Sequence, residues 1–196
     1  WSGAGIEYGS GNGLNVGYDF TVGDTPILVT KLGVYDYGAD GLGQSHDVGI
    51  WNVAVSSSTP LVSATVLSGT GSPAEGPVIN NAGQFRFVEL DSALALDANT
   101  TYRIGAYYGN TSDVHVRTPL GDTTVTWTTA SEITYNGGRY RWISSVQCPT
   151  DATNRPFAYF GPNFQFVAVP EPCSLIGLLV GGGIAGVVLV LRRRPR

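Results

Sequence analysis

The sequence predicts an all-β chain, an antiparallel β-sandwich or jelly roll followed by a single C-terminal hydrophobic, membrane-spanning helix. Three observations carry this prediction. In residues 1–168, short runs rich in β-branched and aromatic residues alternate with clusters of Gly, Asn, Asp, Ser and Pro. No part of that body sustains the 3.6-residue apolar period of an amphipathic helix. From Cys173 to Leu191 the chain then runs 19 residues without a charge. The expected division is a body over 1–168 and a tail over 169–196.

The strands are placed where β-rich runs are bounded by turn formers. In order they are Asn15–Val22, Ile27–Tyr35, Asp47–Val53, Leu61–Leu67, Gln84–Leu90 and Thr101–Tyr108. Asp113–Arg117, Thr123–Thr128, Ile133–Tyr135, Arg139–Ser145 and Asn163–Ala168 complete the set. Successive side chains on a strand face opposite ways. Tyr102, Ile104, Ala106 and Tyr108 therefore share one face, and Arg103, Gly105 and Tyr107 share the other. Phe85 and Phe87 oppose Arg86 and Val88 in the same way. Asn136-Gly137-Gly138, between Tyr135 and Arg139, reads as a hairpin turn. No crossover helices separate the runs, so the pairing is expected to be antiparallel.

The tail is set apart by charge. Residues 1–169 carry seven Lys/Arg against fourteen Asp/Glu, a net of −7; residues 170–196 carry four against one, a net of +3. An acidic body argues against nucleic acid as a partner. The uncharged run Cys173–Leu191 would span roughly 28 Å as a helix, close to a bilayer's hydrocarbon thickness. Its glycines would weaken a helix in water but are tolerated in lipid. Gly177/Gly181 and Gly182/Gly186 have the spacing that lets membrane helices approach closely. Arg192, Arg193, Arg194 and Arg196 would stay on the cytoplasmic side, leaving the body outside. The chain starts at Trp1 and contains no Met, which leads to the expectation that an export signal has been removed.

Pro170-Glu171-Pro172, the glycine-bearing apolar run over 173–191 and the basic cluster over 192–196 together resemble the PEP-CTERM sorting signal of Gram-negative bacteria. The resemblance covers about 27 residues and keeps all three parts in order. It implies an exported protein handled by an exosortase-type processing enzyme, in the company of exopolysaccharide and biofilm systems. Pro170, Glu171 and Pro172 would be the recognition residues, held extended by the two prolines. In the body, Leu32-Gly33-Val34, His46-Asp47-Val48-Gly49-Ile50-Trp51, Phe85-Arg86-Phe87-Val88 and Thr101-Tyr102-Arg103-Ile104-Gly105 resemble a module of secreted bacterial proteins. That resemblance implies a β-sandwich with no catalytic activity attached to it.

Few constellations carry chemistry. Asp36 and Asp40, with Asp47 nearby, could offer oxygens to calcium, but Asp and Gly in that loop also serve simply as turn formers. The loop lacks the remaining acidic ligands of an EF-hand. His46 and His115 are the only histidines, too few donors for zinc, and no nucleophile-elbow motif accompanies them. Glu7, Glu75, Glu89 and Glu132 are scattered, without the pairing a glycosidase needs. Cys148 can pair with Cys173, pair between chains or stay free, and Cys173 is also a candidate for acylation. Tyr107-Tyr108 and Tyr135…Tyr140-Arg141-Trp142 suit core filling, sugar stacking or a subunit interface.

The expected function is a non-catalytic exported structural protein of the cell surface or extracellular matrix. It would be sorted by its tail and would assemble into homo-oligomers or a filament through the C-terminal helix. The alternative is a carbohydrate-binding module that retains exopolysaccharide at the surface; a hydrolase ranks third. No cofactor is expected, calcium at the Asp36 loop being the one candidate.

Overall fold

The computed structural model describes residues 6–9, 13–79, 83–110, 112–117, 129–153 and 161–169. Twelve strands form in chain order: β1 (Ile6–Gly9), β2 (Leu14–Val22), β3 (Ile27–Tyr37), β4 (His46–Trp51), β5 (Val62–Val66), β6 (Ala74–Ile79), β7 (Gly83–Leu96), β8 (Thr101–Tyr108), β9 (Val114–Arg117), β10 (Ile133–Trp142), β11 (Asp151–Ala152) and β12 (Pro162–Ala168). Every pairing is antiparallel. The six-stranded sheet runs β11-β10-β2-β8-β4-β5 and the four-stranded sheet β12-β3-β7-β6; β1 pairs with β9 alone. The all-β, antiparallel expectation holds. The predicted strand Thr123–Thr128 and the whole tail, 170–196, lie outside the described residues.

The two larger sheets share one hydrophobic core. Val16 and Phe20 of β2, Ile104 and Tyr108 of β8, and Val48 and Ile50 of β4 supply one side. Val29, Leu32 and Val34 of β3, Leu96 of β7 and Phe164 of β12 supply the other. The Phe20 and Phe164 rings meet across the layer at 4.7 Å. The alternation read on β8 places Tyr102, Ile104, Ala106 and Tyr108 in this core, each no more than 2% exposed.

One expectation changes, and one strand is additional. The Asn136-Gly137-Gly138 hairpin does not form. Residues 133–142 make one strand, paired with β2 from Ile133↔Val22 to Trp142↔Leu14, with a register shift between Tyr135 and Gly137. Gly137 takes φ +125°, so the glycine serves a β-bulge and not a turn. β6 contains Gly76-Pro77, a pairing that weakens strands, and was not expected. It survives as an edge strand whose register with β7 breaks between Glu75 and Ile79. The alternation read on β7 holds, with Arg86 and Val88 pairing with Val34 and Leu32 of the core. Phe85 and Phe87 lie on the outer side, beside Tyr35 and Gly33.

Candidate functional site

Buried charge is the chemistry this fold must accommodate, since an unpaired ion inside costs several kcal/mol. The largest cluster lies on the outer face of the six-stranded sheet. Asp19 on β2, Arg103 on β8 and Arg139 on β10 are neighbours there because their strands are neighbours. Arg103 clasps the Asp19 carboxylate through two nitrogens, with Nη2 to Oδ2 at 3.0 Å. Arg139 donates to the same Oδ2 from Nε at 2.8 Å and Nη2 at 2.7 Å. Asp19 is 5% and Arg103 8% exposed, so this triad is largely removed from water. Arg103 also donates from Nη1 toward Cys148 Sγ at 3.7 Å.

That outer face is roofed. Gly17, Gly105 and Gly49 stand opposite one another on β2, β8 and β4, leaving a trough without side chains. The Trp51 indole lies in it: a methyl group on Gly49 would stand 2.7 Å from Cη2. Pro149 fills the rest, its Cδ 2.7 Å from where a methyl on Gly105 would be. Trp51, Cys148 and Pro149 are accordingly buried. Asn15 fastens the segment by donating to the Ser145 carbonyl and accepting from the Gln147 amide.

Two further clusters bracket the loop between β3 and β4. At its start, Asp36 (1% exposed) accepts from Arg86 Nε at 2.7 Å and from the Gly41 amide at 3.0 Å. Arg86 also donates to the Ser72 carbonyl. Gly38, Ala39 and Gly41 adopt positive φ, which winds the loop tightly enough for Gly41 to reach back. At its end, Asp113 accepts from the Gly43 and Gln44 amides at 2.7 and 2.9 Å, and from His46 Nε2 at 2.9 Å. His46 Nδ1 faces the Tyr107 carbonyl at 2.9 Å. Both ring nitrogens are engaged, one at Asp113 and one at the Tyr107 carbonyl, so the imidazole ties the end of this loop to β8 and Asp113. Burial alone would push the Asp113 carboxyl up; His46 and the two amides outweigh it and hold the group below its ordinary value.

The expected site residues fall into different places. Asp36 is committed to Arg86, Asp40 is exposed, and Asp47 lies on the other sheet, accepting from Thr65 Oγ1 at 2.6 Å. The structure therefore does not assemble the three carboxylates. Among the described residues, no three His, Cys, Asp or Glu side chains are placed to share a metal ion. His115 is buried against the Tyr108 ring, which also packs on His46. Cys148 is a free, buried thiol. Burial pushes it up, and the Arg103 charge only partly offsets this, so it is held in the unreactive form. Its candidate partner Cys173, the motif Pro170-Glu171-Pro172, Gly177, Gly181, Gly182, Gly186 and the four terminal arginines lie outside the described residues. Among those described, no helix is long and apolar enough to cross a membrane.

Strand pairing also joins residues that spacing left apart. Lys31 of β3 bonds Glu75 of β6 at 2.8 Å and approaches Glu89 of β7 at 3.6 Å, with Gln165 of β12 donating to Glu75 at 3.0 Å. The Lys31–Glu89 register is the only signal for this convergence, and it exists only once β3 and β7 are paired. Trp142 is 56% exposed at the end of β10, whereas Tyr108 is fully buried. No family model, curated protein or solved structure matches the chain.

Proposed function

We propose that the chain is an exported, non-catalytic structural protein. Its β-sandwich body stands outside the cell, and its tail is an exosortase-type sorting signal and anchor. One observation carries this reading: Pro170-Glu171-Pro172, an uncharged 19-residue run and a terminal arginine cluster follow one another at the end of an acidic body. The arrangement of the body supports it, because the buried carboxylates Asp19, Asp36 and Asp113 are each spent on holding strands and loops together. The proposal includes no cofactor. The test is fractionation of cells producing the full chain alongside a chain ending at Val169. The full chain is expected with the envelope and the shortened one released; identical distributions would remove the anchoring role.

The carbohydrate-binding alternative is favoured by Trp142, an exposed indole flanked by Arg141 and Tyr140 on the same strand. An exposed indole stacks on sugar rings, and the arginine adds affinity for acidic sugars. Titration of the full chain with acidic and neutral exopolysaccharides, read by tryptophan fluorescence, tests it. Binding abolished by Trp142→Ala supports the alternative, and unchanged fluorescence throughout removes it.

A further inference from the structure

The four edges of the two larger sheets are not alike. A free strand edge offers a row of backbone donors and acceptors, and proteins blunt such edges with brevity, proline, charge or bulges. β11 is two residues long. β12 begins at Pro162 and shifts register between Gln165 and Phe166. β6 is broken at Gly76-Pro77 and carries Glu75. β5, Val62–Val66, has none of these devices: it is regular, uncharged and free of proline and glycine. It pairs with β4 on one side, and among the described residues no strand pairs with it on the other.

The sequence through this edge is Leu61-Val62-Ser63-Ala64-Thr65-Val66-Leu67, which reads almost identically in both directions. We infer that β5 is a homodimer interface, pairing antiparallel with β5 of a second copy about a twofold axis at Ala64. Antiparallel pairing centred there sets Ala64 opposite itself, Ser63 opposite Thr65, Val62 opposite Val66 and Leu61 opposite Leu67. Each match keeps like chemistry on the same face. Val62, Ala64 and Val66 point toward the core side, following the burial alternation of the strand. Ser63 and Thr65, both exposed, form hydroxyl pairs, a favourable cross-strand match. Leu61 and Leu67 are 47% and 50% exposed, and the twofold covers each with the other.

Charge permits the contact. The body is acidic, so most surfaces would repel a second copy, but this seven-residue stretch is neutral and opposes no like charges. Beneath it, an open groove of about 550 Å³ separates β5 from β7, lined in part by Val62, Ala64, Val88, Leu90 and Leu94. It exists because Leu90–Ala93 bow out of the β3 register, four residues standing opposite Thr30 alone. The partner's inner-face valines would lie over Val88, Leu90 and Leu94; Glu89 and Asp91, which also line the groove, are exposed. A twofold contact uses the same patch on both copies and closes at two. The inference rests on the folded body and stands whether or not the tail anchors the chain.

The test is sedimentation of the full chain in detergent, where the wild type is expected as a dimer. Ser63→Lys/Thr65→Lys sets lysine against lysine at both cross-strand pairs; Ser63→Glu/Thr65→Lys sets glutamate against lysine. Both change only exposed positions and share the same residue 65. The first is expected to raise the dimer dissociation constant about tenfold or more over the second, which should match wild type. A disulfide joining position 64 to itself in Ala64→Cys, mapped by peptide mass, is the expected second result. A monomeric wild type, a dimer indifferent to the two variants (association through the tail helix), equal loss in both, or no 64–64 disulfide would each overturn the inference.

Discussion

Asp19 is the residue on which the outer-face triad turns, and its replacement has a calculable outcome. In Asp19→Asn the side chain keeps its size and loses its charge. Arg103, 8% exposed, is then buried without a counter-ion, while Arg139, with a quarter of its side chain exposed, regains water. Removing one partner of a buried ion pair costs about 3–5 kcal/mol. The partial exposure of Arg139 places this case near the lower end, about 3 kcal/mol. Arg103→Met leaves Asp19 still bonded to Arg139 and should cost about 2 kcal/mol. Arg139→Ala removes the most exposed partner and should cost about 1 kcal/mol. Because Asp19→Asn and Arg103→Met delete the same interaction, the double variant should cost clearly less than their sum. Urea unfolding of the full chain in one fixed detergent, followed by tryptophan fluorescence, measures all four. Trp51 is a local reporter, being the register partner of Arg103 across β4 and β8. Near-equal losses in the three single variants, or strict additivity in the double, would refute the buried-triad reasoning.

Three further outcomes follow from named contacts. Gly105→Ala puts a methyl 2.7 Å from Pro149 Cδ and 3.4 Å from Trp51 Cζ3; displacing that roof should cost about 1–3 kcal/mol and red-shift Trp51 emission, and unchanged emission would count against the packed trough. Asp113 sits below its ordinary value, so its contribution to stability is complete above the unfolded carboxyl value of about 3.9 and is lost as pH falls through the lower folded value. Urea midpoints of wild type should therefore fall on acidification through that range, and Asp113→Asn should flatten the decline; parallel curves would show that Asp113 is not the titrating latch. Cys148 should resist alkylation in the native chain and react on unfolding, read from the mass of its peptide; rapid native labelling would contradict its burial.

What the sequence made legible were the features written in local periodicity. The alternation of Tyr102, Ile104, Ala106 and Tyr108 identifies the strand and its two faces, because all four are apolar or aromatic while Arg103 and Gly105 interrupt the opposite face. On β7 the same rule separates the two faces but does not say which is the inner one. Phe85 and Phe87 look like core residues, but Arg86 turns inward because Asp36 waits for it 50 residues earlier in the chain. Asp19 and Arg103 are 84 residues apart, and no spacing rule joins them. The β10 bulge illustrates a second limit. Asn-Gly-Gly supplies left-handed backbone freedom, which a hairpin and a bulge both use, and only pairing of both flanks with β2 decides between them. β6 was hidden because Gly76-Pro77 breaks strands in general and is tolerated here at an edge. The Asp36 loop stands out in the sequence for its carboxylates, but Arg86 of β7, which donates to Asp36, and Asp113, which accepts from the Gly43 amide, are out of local view.

The central claim, an acidic sandwich held outside the cell by a basic-ended tail, is tested most directly by protease accessibility in cells producing the full chain. Protease added to spheroplasts should digest residues 1–168 and leave a protected fragment, identified by mass, that contains the apolar run and Arg192–Arg196. A body that is digested only after the cytoplasmic membrane is breached would contradict the account.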